Sequence, residues 1–280
     1  MKKRIPKGNY KYNMALSIDT YLRSLAASYY LKNDSEEVRK INLSIANLNA
    51  NLDKELGILI KRKFIFGSYD RDTILPRKYD SKSDIDIMVI FNHTDYERTP
   101  ETYRAWLKNF ADKYYKDRYG SEVVKSFPTV TIRLNNINYD LVPAKEESLY
   151  YISTIYIPGK DGWRSTDPSD VKQKLIAANT SYNQVVRPLI RIMKAWNCNN
   201  GYPYDSYLLE LQITGMNFYG DNVQSGLFYI GRVLSATYSD PQTKKDKLQS
   251  LKYNLEQVEA ALNRNDTDAA KRWLHKVLPY

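Results

Sequence analysis

The stretch Gly67–Phe91, "GSYDRDTILPRKYDSKSDIDIMVIF", decides how the rest of the chain is read. It follows the alternating run Ile58–Phe66, "ILIKRKFIF", and opens on Gly67-Ser68. It closes in an apolar run carrying Asp84 and Asp86 one residue apart. Residues i and i+2 of a strand project to one face, so these two carboxylates point together while Ile85 and Ile87 point the other way. Two like charges inside a segment that otherwise wants burial cost on the order of several kcal/mol if left uncompensated. A divalent cation with oxygen ligands is the obvious compensation.

Downstream, Thr129–Ala144 reads "TVTIRLNNINYDLVPA". Asn135-Asn136 between two alternating runs is a hairpin signal. A two-residue turn there pairs Leu134 with Ile137, Arg133 with Asn138 and Thr131 with Asp140. Asp140 is then a third carboxylate between apolar neighbours, and a strand laid beside the Asp84 strand brings all three onto one patch. Gly67-Ser68, placed after a strand, opens a short helix whose backbone N–H groups and hydroxyl grip a phosphate. A phosphate cradle, an Asp-x-Asp strand and a third Asp on a neighbouring strand are the parts needed for two-metal phosphoryl or nucleotidyl transfer.

Outward from this centre the periodicity changes. Residues 14–32 are amphipathic at helical spacing, and "NDSEEVRK" predicts a helix start with Asp34 as N-cap and Glu37 three residues on. The helix continues to Leu56 and Gly57 ends it. A helix over Thr99–Arg118 separates the two acidic strands, and Tyr150–Pro158 reads as one more strand. After Pro168 the pattern is helical, over 168–179, 182–198, 204–219, 224–237, 243–264 and 266–278. Strands followed by helices predict an α+β fold: a catalytic lobe with a mixed sheet over residues 1–165 and a helical lobe over 166–280. The turn-rich "PGKDGWRSTDPSD" (Pro158–Asp170) is the boundary.

Composition narrows the function classes. The 280 residues are 42% apolar, enough for a globular core. Net charge is +10, which favours polyanionic partners but is equally served by plain solubility. Cys198 is the only cysteine, so no internal disulfide and no cysteine zinc site is expected. No signal-peptide core follows the basic start, and no run approaches the roughly 18 apolar residues of a membrane span. The cytoplasm is the expected compartment. His93 and His275, the two histidines, have no ligand spacing around them. A Walker A loop and a His-Glu-x-x-His motif are both missing.

"GSYDRDT…SDIDIMV…YDLVPA" resembles the polymerase-β-like nucleotidyltransferases, and within them the bacterial cGAS/DncV-like nucleotidyltransferases. "GWRSTDP" (Gly162–Pro168) resembles their interlobe linker, "VVRPLIRIMKAWN" (Val185–Asn197) their helix ending in Lys-x-Trp, and "DSYLLE" (Asp205–Glu210) their Ser-Tyr-x-x-Glu helix start. The matches span roughly Phe64 to Glu210, and the long helix before Gly67 resembles the spine helix that such proteins run across both lobes. The resemblance implies that Asp84, Asp86 and Asp140 bind two Mg²⁺ ions, with Mn²⁺ as a substitute. It also implies that Gly67 and Ser68 grip phosphate, that Lys194 and Ser206 meet the triphosphate and that Tyr207 stacks on a base. Arg187, Arg191 and Lys194 recur at helical spacing as one basic stripe. The implied activity joins nucleoside triphosphates, ATP among them, into a cyclic oligonucleotide read by a separate effector during phage infection.

Bland readings stand beside these. An isolated Asp-x-Asp is an ordinary edge-strand end, and Ser68 alone is an ordinary N-cap. Tyr207 serves almost as well as a core aromatic, and Trp163 and Trp196 read as core anchors. Arg71 and Thr73 either order the loop or touch phosphate, and Arg133 reaches either a phosphate or an acidic side chain. Two rivals to cyclic-nucleotide synthesis remain open. One is an RNA-terminal or small-molecule nucleotidyltransferase on the same fold. The other is a non-catalytic nucleic-acid-binding module, for which nucleic acid is compatible with the basic charge but not required.

Overall fold

The computed structural model describes residues 17–31, 35–94, 97–150 and 152–280. In chain order the elements are α1 (Asp19–Ser28), α2 (Glu36–Leu56), β1 (Ile60–Phe66), α3 (Gly67–Asp70), β2 (Asp84–Phe91), α4 (Pro100–Ala111), α5 (Asp117–Tyr119), β3 (Glu122–Val124), β4 (Val130–Arg133), β5 (Asn138–Leu149), β6 (Ile152–Gly159) and β7 (Gly162–Thr166). Helices α6 (Pro168–Ser181), α7 (Val186–Asn199), α8 (Ser206–Thr214), α9 (Val223–Val233), α10 (Gln242–Asn263) and α11 (Thr267–Leu274) complete the chain.

The long helix follows from its own pattern. Val38, Ile41, Ile45, Leu48, Leu52 and Leu56 fall on one buried stripe of α2, the 3.6-residue period of a helix packed on one side. Ser35 caps it by accepting from the Val38 N–H. Asp34, the expected cap, lies outside the described residues. The α2 stripe packs on the sheet together with Tyr103, Leu107 and Phe110 of α4.

The sheet has the order β1-β2-β5-β4-β3, with β2 and β5 parallel and the other pairs antiparallel. The parallel pair is allowed by the α4 crossover between its strands. Asn135-Asn136 forms the expected turn, with Arg133 opposite Asn138 and Thr131 opposite Asp140. One face of β2 (Ile85, Ile87, Val89, Phe91) packs under α2 and α4. The other carries Asp84 and Asp86 at its start, and then Met88 and Ile90 against Val142, Ala144 and Ile157. The acids thus sit where an apolar sheet face runs out to the open. Beyond Ala144, β5 leaves β2 and pairs with β6, which pairs with β7.

Several boundaries differ from the sequence reading. Pro158–Asp170 is not a plain linker: Gly159 pairs with Gly162 and β7 forms an edge strand beside β6. Gly and Pro masked a hairpin that β6 imposes from outside the segment. The helix over Thr99–Arg118 is interrupted by a π-helical turn at Asp112–Lys116, and the three-residue β3 was too short to leave a period. Helix α1, although first in the chain, buries Leu22, Leu25 and Ala26 in the core formed by α7 to α11. The described chain therefore starts on the helical side at α1 and reaches the sheet side by α2.

Candidate active site

Strand β1 delivers Gly67 in a left-handed conformation, φ +73°. A Cβ there would lie 1.8 Å from Asp86 Oδ2, so only glycine lets the cradle approach the acidic strand. The loop after α3 folds back on the cradle, since the N–H groups of Thr73 and Ile74 both donate to the Ser68 carbonyl, at 3.0 and 3.1 Å.

The parallel ladder sets Asp86 directly opposite Asp140 and Asp84 opposite Asn138. The Thr131 hydroxyl donates to Asp140 Oδ1 at 2.6 Å. Among the described residues no Lys or Arg side chain forms an ion pair with any of the three carboxylates. Burial pushes all three above the usual carboxylate range. Asp140 raises Asp84 further, and Asp84 and Asp140 together raise Asp86, while Lys194 and Arg71 offset only part of this. Among the described residues, no three His, Cys, Asp or Glu side chains are already gathered into a ligand cluster. Their chemistry nonetheless fits a hard cation: they are oxygen donors, carboxylate neighbours raise the proton affinity of Asp84 and Asp86, and none of the three has a Lys or Arg ion-pair partner among the described residues.

A cleft of about 490 Å³ lies between this sheet face and the helical side. Gly67, Ser68, Asp84, Asp86, Lys194, Ser206 and Tyr207 line it. Asp140 opens instead into an adjoining groove that shares Asp84 with the cleft. Ser206 begins α8 behind its Asp205 cap and its hydroxyl accepts from Asn197 Nδ2 at 3.3 Å. Tyr207 is 46% exposed, with the Arg71 guanidinium 5.7 Å over its ring. Its open face suits stacking better than a core role.

Lys194 is buried, with Nζ 3.8 Å from Glu210 Oε2. Glu210, at 2% exposure, also accepts from Arg71 Nε at 2.6 Å and from the Thr73 hydroxyl at 2.9 Å. One carboxylate of α8 therefore gathers two cations beside the cradle. The basic stripe of α7 is only partly a cleft feature. Arg187 donates to the Arg71 carbonyl at 3.2 Å, and Arg191 donates to the carbonyls of Ala26 and Asp72 at 3.1 and 3.2 Å. These two hold the loop and α1; Lys194 alone of the three lines the cleft. Trp196 is a fully buried core anchor. Arg133 pairs with Glu122 at 3.0 Å rather than with Asp140.

Sequence reasoning gave no role to Glu210, Arg164, Thr166, Asp80 or Tyr202, which also line the cleft. Glu210 left a faint signal, a carboxylate between leucines four residues after Ser206. Asp80 and Tyr202, whose hydroxyl donates to Asp80 at 2.5 Å, left none, because their contact joins loops far apart in the chain.

A mixed sheet with an Asp-x-Asp strand, a third Asp in register and a glycine cradle defines the polymerase-β-like nucleotidyltransferase fold. Solved structures with this architecture include Bradyrhizobium diazoefficiens CdnG in complex with GTP, at TM-score 0.65 and 12% identity over 92% of this chain and 98% of that one. Another is Escherichia coli MS115-1 CdnC with ATP, at TM-score 0.63 and 15% identity over 92% and 96%. Residues 16–179 match the family profile described as the Second Messenger Oligonucleotide or Dinucleotide Synthetase (SMODS) domain, and the chain belongs to that family. A probable cyclic nucleotide synthase of Bacillus cereus (strain VD146) is 29% identical over 48% of this chain and 44% of its own length. The CBASS oligonucleotide cyclase CdnC of Escherichia coli (strain KTE188) is 24% identical over 61% and 56%. The matches thus span about half the length of these curated relatives.

Proposed function

We propose that this protein joins nucleoside triphosphates into a cyclic oligonucleotide and releases pyrophosphate. The observation that carries the proposal is the registration of Asp86 with Asp140 across a parallel ladder, beside a glycine that no other residue can replace. Family membership and the curated relatives named as cyclic nucleotide synthases support the same reaction. ATP is one proposed substrate, since a structural neighbour holds it. Asp84, Asp86 and Asp140 are the residues that would hold Mg²⁺, or Mn²⁺ in its place. Bound there, such ions supply Lewis-acid polarisation of the α-phosphate and a lowered pKa for the attacking hydroxyl.

The chain's own residues do the rest. Backbone N–H groups at Gly67-Ser68, with the Ser68 hydroxyl, receive the triphosphate. Lys194 and Arg71 are poised beside it on Glu210, and Ser206 faces it from the first turn of α8. Tyr207 offers an aromatic face to the base. The cleft then holds donor phosphate and attacking hydroxyl in line, and positioning with fixed charge carries the rate without a side-chain base. The proposed setting is the cytoplasm, in anti-phage signalling, with the product read by a separate effector. Among the described residues, no helix is long and apolar enough to cross a membrane.

The test is incubation with each labelled nucleoside triphosphate, singly and in pairs, with Mg²⁺ or Mn²⁺. A cyclic product with pyrophosphate release is expected, and Asp84→Asn with Asp86→Asn should reduce release at least a thousandfold with the fold intact. Normal turnover in the double variant removes the proposal. A linear tail added to RNA would instead favour a terminal nucleotidyltransferase.

A further inference from the structure

The groove into which Asp140 opens has a volume of about 1210 Å³. That exceeds the roughly 300–1,000 Å³ of ordinary small-molecule sites, whereas the neighbouring cleft is nucleotide-sized. Its walls are the outer face of α2, the end of α5, the β4–β5 turn and the loop from Arg77 to Lys82. Lys82 and Asp84 line both the groove and the cleft. In-line transfer puts the attacking hydroxyl across the reacting phosphorus from the leaving pyrophosphate. With the triphosphate on the Gly67 side, the attacking strand approaches from the side of Asp140, which is the groove.

We infer that this groove is the bed of a single-stranded oligonucleotide, the acceptor strand behind the attacking hydroxyl; this rests on the nucleotidyltransferase reading above. The lining has the chemistry for it. Arg118 is exposed, lies 4.5 Å over the Tyr114 ring and pairs with no carboxylate among the described residues. Arg133 reaches the groove from β4, held at its rim by Glu122. Arg77 is fixed by donating to the Ser81 carbonyl at 2.9 Å and the Leu134 carbonyl at 3.3 Å. All three line the groove, and each guanidinium keeps N–H groups left over for phosphate oxygens. Tyr119, 74% exposed at the lip, is a stacking platform. Asn47 on α2 and Asn135 at the hairpin turn present amides, which read unpaired base edges. A duplex stacks its base faces away from an open tyrosine and pairs its Watson–Crick edges, leaving the amides only groove edges, so this lining suits unpaired bases better.

The experiment uses the full chain and the anisotropy of a 5′-labelled tetra-adenylate RNA, with a closed, fully base-paired RNA hairpin as the duplex comparison. The single strand is expected to bind more tightly. Three phosphate contacts give a slope of about −2 for log K against log salt, at about −0.7 per phosphate. Arg118→Glu should weaken the tetranucleotide at least tenfold and Tyr119→Ala at least fivefold, with Arg118→Gln intermediate. Affinity for a non-hydrolysable ATP analogue should stay within twofold in all three, which also reports that they are folded. Equal or tighter binding of the duplex overturns the inference. So does a tetranucleotide affinity unchanged by Arg118→Glu and Tyr119→Ala. Neither result touches the pyrophosphate assay of the Asp84/Asp86 double variant, so the failure of this inference and the failure of the reaction are read separately.

Discussion

Gly67 and Asp86 constrain each other at single-atom distance. A methyl group on residue 67 would overlap the Asp86 carboxylate and occupy a left-handed backbone at φ +73°. Gly67→Ala is therefore expected to cost about 1–3 kcal/mol in unfolding free energy. Displacing Asp86 should also cut pyrophosphate release by about a hundredfold, the scale on which misplaced reacting groups lose rate. Urea unfolding and a pyrophosphate assay check the two halves, and a variant of full activity would mean that Asp86 does not need this approach. A second prediction concerns protons. Burial raises Asp84, Asp86 and Asp140 in the folded state, and neighbouring carboxylates raise Asp84 and Asp86 further. Above about pH 4, where unfolded carboxylates ionise, the folded chain keeps more protons than the unfolded one. Stability from this source is full at low pH and falls as pH rises toward the folded-state values. Without divalent ions, Asp84→Asn with Asp86→Asn should thus melt higher than the wild type at pH 8, with the gain fading toward pH 4. Mg²⁺ should raise the melting temperature of the wild type and leave the double variant unmoved. Melting curves at both pH values check this; a wild type as stable as the variant at pH 8 without metal would show that the carboxylates are not strained.

At the scale of elements, α8 is tied to the cradle loop by Glu210. Removing that carboxylate strands Arg71 and Lys194 in a buried place. Breaking a buried ion pair from one side costs about 3–5 kcal/mol. Glu210→Ala should approach that loss, whereas Glu210→Gln keeps an acceptor for Arg71 and Thr73 and should lose less. Both should raise KM for the triphosphate more than they lower kcat, because the gathered cations bind substrate before and during the reaction. Equal stability of the alanine and glutamine variants would make the Glu210 contacts incidental. The same elements show what was legible in the chain. The hairpin register that sets Thr131 opposite Asp140 followed from two asparagines and an alternating pattern, because local turn chemistry dictates it. The α2 stripe followed from its period. The basic stripe of α7 was read correctly as one face but not for what it meets. Arg187 and Arg191 contact main-chain carbonyls of a loop over a hundred residues away, and no spacing encodes that. Strand β7 was missed for a related reason: its five residues carry turn formers, and only pairing with β6 makes them a strand.

Across the whole molecule, the two sides of the cleft are joined by more than covalent connections. Helix α1 is built into the helical core, and the loop from Arg71 to Ser83 lies between that core and the sheet. Arg191 of α7 is the tie between these parts. Its guanidinium holds the carbonyls of Ala26 in α1 and Asp72 in the loop, and it lies 4.7 Å over the Tyr30 ring. Burial pulls its pKa down to about 10, which leaves it charged at neutral pH. Arg191→Met keeps the volume but leaves two carbonyls without their donor, a loss of about 1–3 kcal/mol for each group that stays buried. Because the loop it releases also carries Arg71 and Thr73, the change should reach the cleft without touching it. We expect a lower unfolding midpoint and a severalfold higher KM for the triphosphate, with kcat changed less. A ligand that binds across the cleft stabilises the folded chain by about 2.7 kcal/mol at a hundred times its Kd. Saturating non-hydrolysable ATP analogue with Mg²⁺ should therefore restore most of the lost melting temperature in Arg191→Met. A variant that recovers nothing on ligand addition while still binding it would show that the tie serves folding alone and leaves the geometry of the cleft to other contacts.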